Sequence, residues 1–123
     1  MAQQITMPEH PTKTVKLLRP FPWMDGRMVT QITLKEPSGR LYVKLGDPRV
    51  LVWNASGGGY WVEQQEVIAA YLENCIVQDS DAAVLGAQIL DRLALEDVMA
   101  TKGILFSFFD GAAKRQSETS STA

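Results

Sequence analysis

The sequence predicts an α+β fold, in which an N-terminal β-hairpin packs with a small bundle of about four α-helices. Apolar residues alternate with polar ones on both sides of residues 25–26, and beyond residue 62 they recur at helical spacing. Hydrophobic residues make up 46% of the 123 residues and charged residues 21%, which is ordinary globular composition. We therefore expect a single compact domain over residues 14–110.

The chain is predicted to begin with a flexible arm and a hairpin. Residues 1–13 are polar and carry two prolines, which remove backbone donors and discourage regular structure. Residues 14–20 and 27–34 have the composition and alternation of strands. Asp25-Gly26 between them is a turn dipeptide, because both residues tolerate the positive φ of tight hairpin connections. The hairpin is therefore placed at residues 14–34.

A short helix at about 38–46 and a strand at 49–53 are predicted next. Ser38 can cap the helix, and Gly46 can end it in a left-handed conformation. The strand is rich in β-branched and aromatic residues. Residues 54–59 end in three consecutive glycines and are predicted to form a mobile loop.

Three further helices are predicted, at about 62–78, 81–93 and 95–109. The first has the clearest amphipathic pattern, and Asp79 and Asp81 can cap the second. The last carries apolar residues on more than one side, which indicates either burial on several sides or an exposed apolar patch. Residues 111–123 contain no apolar anchor and are predicted to be a disordered tail.

Composition and charge argue against several classes of function. The formal net charge is −2 at pH 7, so no large positive field attracts nucleic acid or an anionic membrane. The single histidine, His10, lies in the predicted arm, where no rigid framework holds a catalytic base. Cys75 falls in an apolar helical pattern and is predicted to be a small buried hydrophobe. We expect a protein that is not an enzyme, with no catalytic, metal or cofactor site and no nucleic-acid or membrane partner.

Two local motifs allow a ligand-binding interpretation. Ser-Gly-Gly-Gly at 56–59 could cradle an anion, but no Lys-Ser or Lys-Thr follows it, so a flexible connector is favoured. Four aromatic side chains could stack on nucleobases, but basic residues are not interleaved with them. Packing in the core is therefore predicted for Trp23, Trp53, Tyr60 and Trp61.

Four short segments carry a family resemblance through their order. The first pairs Val-Lys-Leu-Leu-Arg-Pro at 15–20 with Val-Thr-Gln-Ile-Thr-Leu-Lys-Glu-Pro at 29–37, and the second is the helix ending in Gly-Asp-Pro at 46–48. The third is Ala-Ala-Tyr-Leu at 69–72, and the fourth joins Leu-Ala-Leu-Glu-Asp at 93–97 to Ile-Leu-Phe-Ser-Phe-Phe at 104–109. Together they resemble the bacteriophage tail assembly chaperone family, the small tail proteins of the P2 and Mu phage types. Lys35 replaces the arginine of the family's Leu-Arg-Glu-Pro signature, and residues 49–60 form an insert.

The resemblance implies a protein that acts during tail morphogenesis in the host bacterial cytoplasm and is absent from the mature virion. Its implied partners are the tail tape measure protein, which it keeps soluble, and tail tube subunits, which it recruits. Self-association is a further candidate interaction. The alternative is a small structural tail component, such as a connector or completion protein, that is retained in the virion.

The last predicted helix supplies the candidate protein-binding residues. A chaperone must offer apolar surface to its client, and Phe106, Phe108 and Phe109 of this helix are candidates for that surface. Ordinary core packing of the same side chains is the alternative interpretation. The candidates are Val98, Met99, Ile104, Leu105, Phe106, Phe108 and Phe109.

Overall fold

Two antiparallel strands, β1 (Thr12–Pro22) and β2 (Met28–Lys35), open the fold, and the computed structural model describes residues 11–77 and 86–120. The turn between them is closed by Asp25, whose carboxylate accepts hydrogen bonds from the amide and the guanidinium of Arg27. Gly26 has a φ of 87°, as the turn dipeptide requires. The predicted hairpin is confirmed, although β1 begins inside the segment that was expected to be a flexible arm.

Strand β1 contains a β-bulge. The register with β2 shifts between Lys16 and Phe21, so that residues 17–20 stand opposite Thr30 alone. Pro20 lies within this stretch, where its missing amide removes no ladder hydrogen bond. The bulge leaves backbone amides of β1 that must find hydrogen-bond partners outside the sheet.

Helix α1 (Gly39–Leu45) and strand β3 (Arg49–Trp53) lie where the sequence predicts them. The Ser38 hydroxyl accepts a hydrogen bond from the Leu41 amide at 3.1 Å and caps the helix. Gly46, with a φ of 82°, follows its last residue. The capping and stop signals of the sequence therefore set both ends of α1.

Strand β4 (Gly59–Glu63) pairs antiparallel with β3 and was not predicted from the sequence. The predicted helix at 62–78 begins later, at Gln65, because residues 59–63 gain cross-strand neighbours in β3 that a helix would not provide. In the loop predicted at 54–59, Asn54 Oδ1 accepts hydrogen bonds from the amides of Ser56 and Gly58 and closes a turn between β3 and β4.

The remaining elements are α2 (Gln65–Cys75), β5 (Ile76–Val77), α3 (Gly86–Leu90) and α4 (Leu95–Ser120). Strand β5 replaces the predicted end of the helix at 62–78, because its backbone pairs with β2 and forms a sheet of order β1-β2-β5. Helix α3 lies within the predicted helix at 81–93 and ends at Leu90, before the predicted end, while residues 81–85 lie outside the described residues. The proposed caps Asp79 and Asp81 lie outside the described residues, as does His10.

Helix α4 extends well beyond its predicted end at residue 109. Residues 111–120, which were expected to be a disordered tail, are helical. Alanine, lysine, arginine and glutamine are strong helix formers, so this stretch can continue an existing helix without an apolar face. Arg115 Nη2 lies 2.8 Å from Glu36 Oε1 and connects the extension to the loop before α1.

The core lies between the three-stranded sheet and helices α2, α3 and α4, with α4 packed on β1 and β2. The fold is therefore α+β, as predicted. No helix among residues 11–77 and 86–120 is long and apolar enough to cross a membrane. The buried apolar residues are Val15, Leu17, Phe21, Val29, Ile32, Leu34, Ile68, Tyr71, Leu72, Cys75, Ile76, Ile89, Leu105 and Phe108.

Candidate protein-binding site

The candidate residues of α4 divide between the core and the surface. Leu105 and Phe108 are buried core residues, so for them the core-packing interpretation is the one the structure shows. Met99 is 58% exposed. The others, Val98, Ile104, Phe106 and Phe109, are partly buried. These side chains therefore do not form one exposed apolar stripe.

A cleft of about 530 Å³ opens between α1, the β3–β4 hairpin and the C-terminal half of α4. We call it the aromatic cleft. Phe108 and Phe109 line it from α4, so two of the predicted binding residues reach it. Its other lining residues are Glu36, Pro37, Ser38, Gly39, Tyr42, Asp47, Pro48, Arg49, Trp61, Asp110, Ala112, Ala113 and Gln116.

A row of three aromatic rings, each in contact with the next, supports one side of the cleft. The Phe109 ring lies 6.0 Å from that of Tyr42 and meets the ring of Tyr71 edge-on at 5.2 Å. Tyr71 is fully buried, and its hydroxyl donates a hydrogen bond to the Gly46 carbonyl at 2.6 Å. Burial, reinforced by the nearby negative charge of Asp47, raises the pKa of Tyr71 to about 12. The exposed ring of Tyr42 is thus supported by a chain of contacts that reaches the core.

The base of the β3–β4 hairpin is fixed to α4 by charged side chains. Arg49 lies between two rings, with its Cζ 4.8 Å from the centroids of both Trp61 and Phe106, and it also pairs with Asp110. Lys102 Nζ lies 2.9 Å from a carboxylate oxygen of Glu63. These contacts hold the hairpin beside the cleft and set the position of Trp61.

The carboxylates of the cleft all have partners. Glu36 pairs with Arg115, and Asp110 pairs with Arg49. Asp47 accepts a hydrogen bond from the Tyr42 hydroxyl at 3.0 Å, which raises the pKa of that tyrosine. An apolar and aromatic lining with a few fixed polar groups at its edge suits the apolar side chains of another protein.

Metal-binding and thiol chemistry have little support in the described structure. Among residues 11–77 and 86–120, no group of three or more His, Cys, Asp or Glu side chains is placed to hold a metal ion. Cys75 is buried, as predicted, and burial raises the pKa of its thiol to about 11. A protonated, inaccessible thiol is a poor nucleophile.

Core packing was predicted for four aromatic residues, and this prediction is wrong for the three that lie around the glycine turn. Trp53, Tyr60 and Trp61 are 67%, 54% and 58% exposed, whereas Trp23 is partly buried against the core. The sequence contained the missed signal, since two β-prone runs flank a turn that begins with Asn54. Recognising that hairpin would have removed these three side chains from the predicted core.

No protein-family model matches the chain, and no curated protein or solved structure is significantly similar to it.

Proposed function

We propose that this protein is a phage tail assembly chaperone that binds the tail tape measure protein, keeps it soluble and recruits tail tube subunits. It is not an enzyme in this proposal. It acts in the host bacterial cytoplasm during tail morphogenesis and is absent from the mature virion. The order of the four sequence segments motivates the identity of the partners, and the aromatic cleft motivates the mode of binding.

The single observation that supports a binding role most directly is the exposed aromatic lining of the cleft. Tyr42 and Trp61 are both more than one-third exposed, although both are large apolar side chains. Their positions are fixed from beneath, by Phe109 and by Arg49 respectively. Rigid, exposed aromatic side chains lose little conformational entropy on binding, which is why they are enriched where proteins bind one another.

The dimensions of the cleft suit apolar side chains projecting from a partner helix. Its volume of about 530 Å³ is within the range of sites that enclose several side-chain-sized groups. A helix presents such groups at positions three and four residues apart, and a groove beside α4 can receive them. The carboxylates of Asp47 and Asp110 at its edge keep acceptor positions beyond those used by Tyr42 and Arg49, and these can orient polar residues of the partner.

Co-expression with the tape measure protein of the same phage tests the proposal. Ala113 lines the cleft and is exposed on α4, so Ala113→Glu places a charged side chain in the cleft without removing a core contact. Ala100→Glu is the matched control, because Ala100 is an exposed alanine of the same helix that does not line the cleft. We expect the wild type and Ala100→Glu to keep the tape measure protein soluble and Ala113→Glu to lose most of this effect. An insoluble tape measure protein with the wild type would contradict the proposed function.

The composition of the virion distinguishes the proposed chaperone from the alternative, a structural tail component. Mass spectrometry of purified particles should detect tube and tape measure peptides and none from this chain. Stoichiometric recovery of this chain would favour a connector or completion protein instead.

A further inference from the structure

The lining of the aromatic cleft is acidic. It includes three carboxylates and one basic side chain. The carboxylate of Glu36 is paired with Arg115. That of Asp110 is paired with Arg49, the basic residue of the lining. The third carboxylate, that of Asp47, forms no ion pair within the described residues. One negative charge of the cleft is therefore not balanced by a cation there.

The backbone around Asp47 is held in place by hydrogen bonds. The Tyr71 hydroxyl donates to the carbonyl of Gly46 at 2.6 Å. Gln64 donates from its side chain to the Asp47 carbonyl at 2.6 Å. Its backbone amide donates to the carbonyl of Pro48, which is fully buried. The Asp47 carboxylate is exposed but stands on a fixed backbone, so a partner can bind it with little reordering.

The charge of Asp47 acts on the aromatic residues beside it. The Tyr42 hydroxyl donates a hydrogen bond to the Asp47 carboxylate, and this bond and the negative charge raise the pKa of Tyr42. The rings of Tyr42 and Trp61 are both exposed in the same cleft. Because the face of an aromatic ring attracts cations, the rings and the carboxylate favour the same kind of group.

We propose that the aromatic cleft selects a partner helix that carries a lysine or arginine next to its apolar side chains, and that Asp47 binds this cation. The Tyr42 hydroxyl uses one acceptor position of the carboxylate and leaves others for an ammonium or guanidinium group. A partner with a glutamate there would bring like charges together. An uncharged partner would cover Asp47 without replacing the water that solvates it. The proposal rests on the proposed function in placing the partner helix in the same cleft.

An NMR titration of the full chain with hexylammonium tests the proposal without the tape measure protein. This probe joins an apolar chain to a cation, and hexanoate carries the opposite charge on a chain of similar length. Hexylammonium should shift the Trp61 indole signal and the Asp47 amide signal in a saturable way, with a dissociation constant on the order of 10 mM. Hexanoate should bind about 10-fold more weakly. Equal affinities for the two probes, or no saturable binding of hexylammonium, would overturn the proposal.

Two variants assign the preference to one carboxylate. Asp47→Asn removes the charge and keeps a carbonyl that can accept the Tyr42 hydrogen bond. Asp91→Asn is the matched control, because Asp91 is an exposed aspartate that does not line the cleft. Hexylammonium should bind Asp47→Asn about 5-fold more weakly than the wild type and bind Asp91→Asn equally well. Wild-type affinity in Asp47→Asn would overturn the proposal. The comparison of the two probes on the wild type decides the test if Asp47→Asn does not fold.

Co-expression with the tape measure protein separates this proposal from the proposed function. Asp91→Asn should keep the tape measure protein soluble as the wild type does, and Asp47→Asn should keep less of it soluble. Full solubilisation by Asp47→Asn overturns the selection of a basic helix and leaves the chaperone function standing. A tape measure protein that stays insoluble with the wild type contradicts the proposed function, and the titration with hexylammonium then decides the proposal about Asp47.

Discussion

The carboxylate of Asp97, in the first turn of α4, accepts hydrogen bonds from the backbone amides of Leu18 and Arg19 at 2.8 and 3.1 Å. Both amides belong to the bulge of β1, where the ladder to β2 provides no partner. Asp97 is almost fully buried, and its own carbonyl accepts a hydrogen bond from the Thr101 hydroxyl. One side chain thus joins the start of the longest helix to the irregular part of the sheet.

Asp97→Ala should destabilise the fold strongly. The substitution removes two charge-assisted hydrogen bonds and leaves two partly buried amides without partners, which costs about 2–4 kcal/mol. Urea denaturation measures the change. Glu96→Ala is the neighbouring control, because Glu96 is exposed and forms only a surface ion pair with Arg19, worth under about 1 kcal/mol. Similar losses for the two variants would show that Asp97 does not support the bulge.

Gly86→Ala should be destabilising, whereas Gly103→Ala should not. A Cβ at Gly86 would lie 2.2 Å from the Glu73 carbonyl oxygen, so α3 could not approach the end of α2. Separating these helices costs on the order of 2 kcal/mol or more, as for other overpacked sites. Gly103 lies within α4, and a methyl group there would meet nothing within 4 Å outside the backbone of its own helix. Alanine at this position should therefore stabilise the helix by about 0.5–1 kcal/mol. Thermal unfolding of both variants should shift in opposite directions.

Phe108→Asp should unfold the protein, and Met99→Asp should not. Phe108 is a core residue, and burying a carboxylate in its place costs several kcal/mol, comparable with the whole stability of a domain of this size. Met99 lies on the same helix and is mostly exposed, so aspartate remains in water there. Circular dichroism distinguishes the outcomes. A folded Phe108→Asp protein would mean that this ring is not part of the core.

Alkaline pH should weaken the fold through Cys75. Burial raises the pKa of its thiol from 9.0 to about 11, so the folded state retains a proton that the unfolded state releases. The stabilisation is complete below pH 9 and is lost as pH rises toward 11, by an amount on the order of 2 kcal/mol. Tyr71, with its pKa raised from 10.0 to about 12, adds a second loss that begins above pH 10.

Urea midpoints measured from pH 7 to pH 11 for the wild type and Cys75→Ala check this expectation. The alanine variant loses some packing at every pH, but its stability should fall less between pH 9 and pH 10 than that of the wild type. Parallel profiles would show that the thiolate is not excluded by the fold.

The local elements of this protein could be predicted wherever short-range chemistry sets them. The hairpin follows from alternation around Asp25-Gly26, and α1 follows from the Ser38 cap and the Gly46 stop. The burial of Cys75 follows from its place in an apolar helical pattern. Each of these signals acts within a few residues, so the rest of the fold needs only to be compatible with the local structure that the signal favours.

The sequence by itself therefore determined the α+β class, the first hairpin and most of the helices. Only the tertiary structure decided which apolar residues of α4 and of the β3–β4 hairpin are buried, because their burial depends on what another element covers. Leu105 and Phe108 are buried in the core, whereas Trp53, Tyr60 and Trp61 lie on a hairpin that pairs only with itself among the described residues. The pairing of β5 with β2 and the hydrogen bonds from the bulge amides to Asp97 likewise join residues far apart in the chain. Local sequence patterns do not predict such contacts.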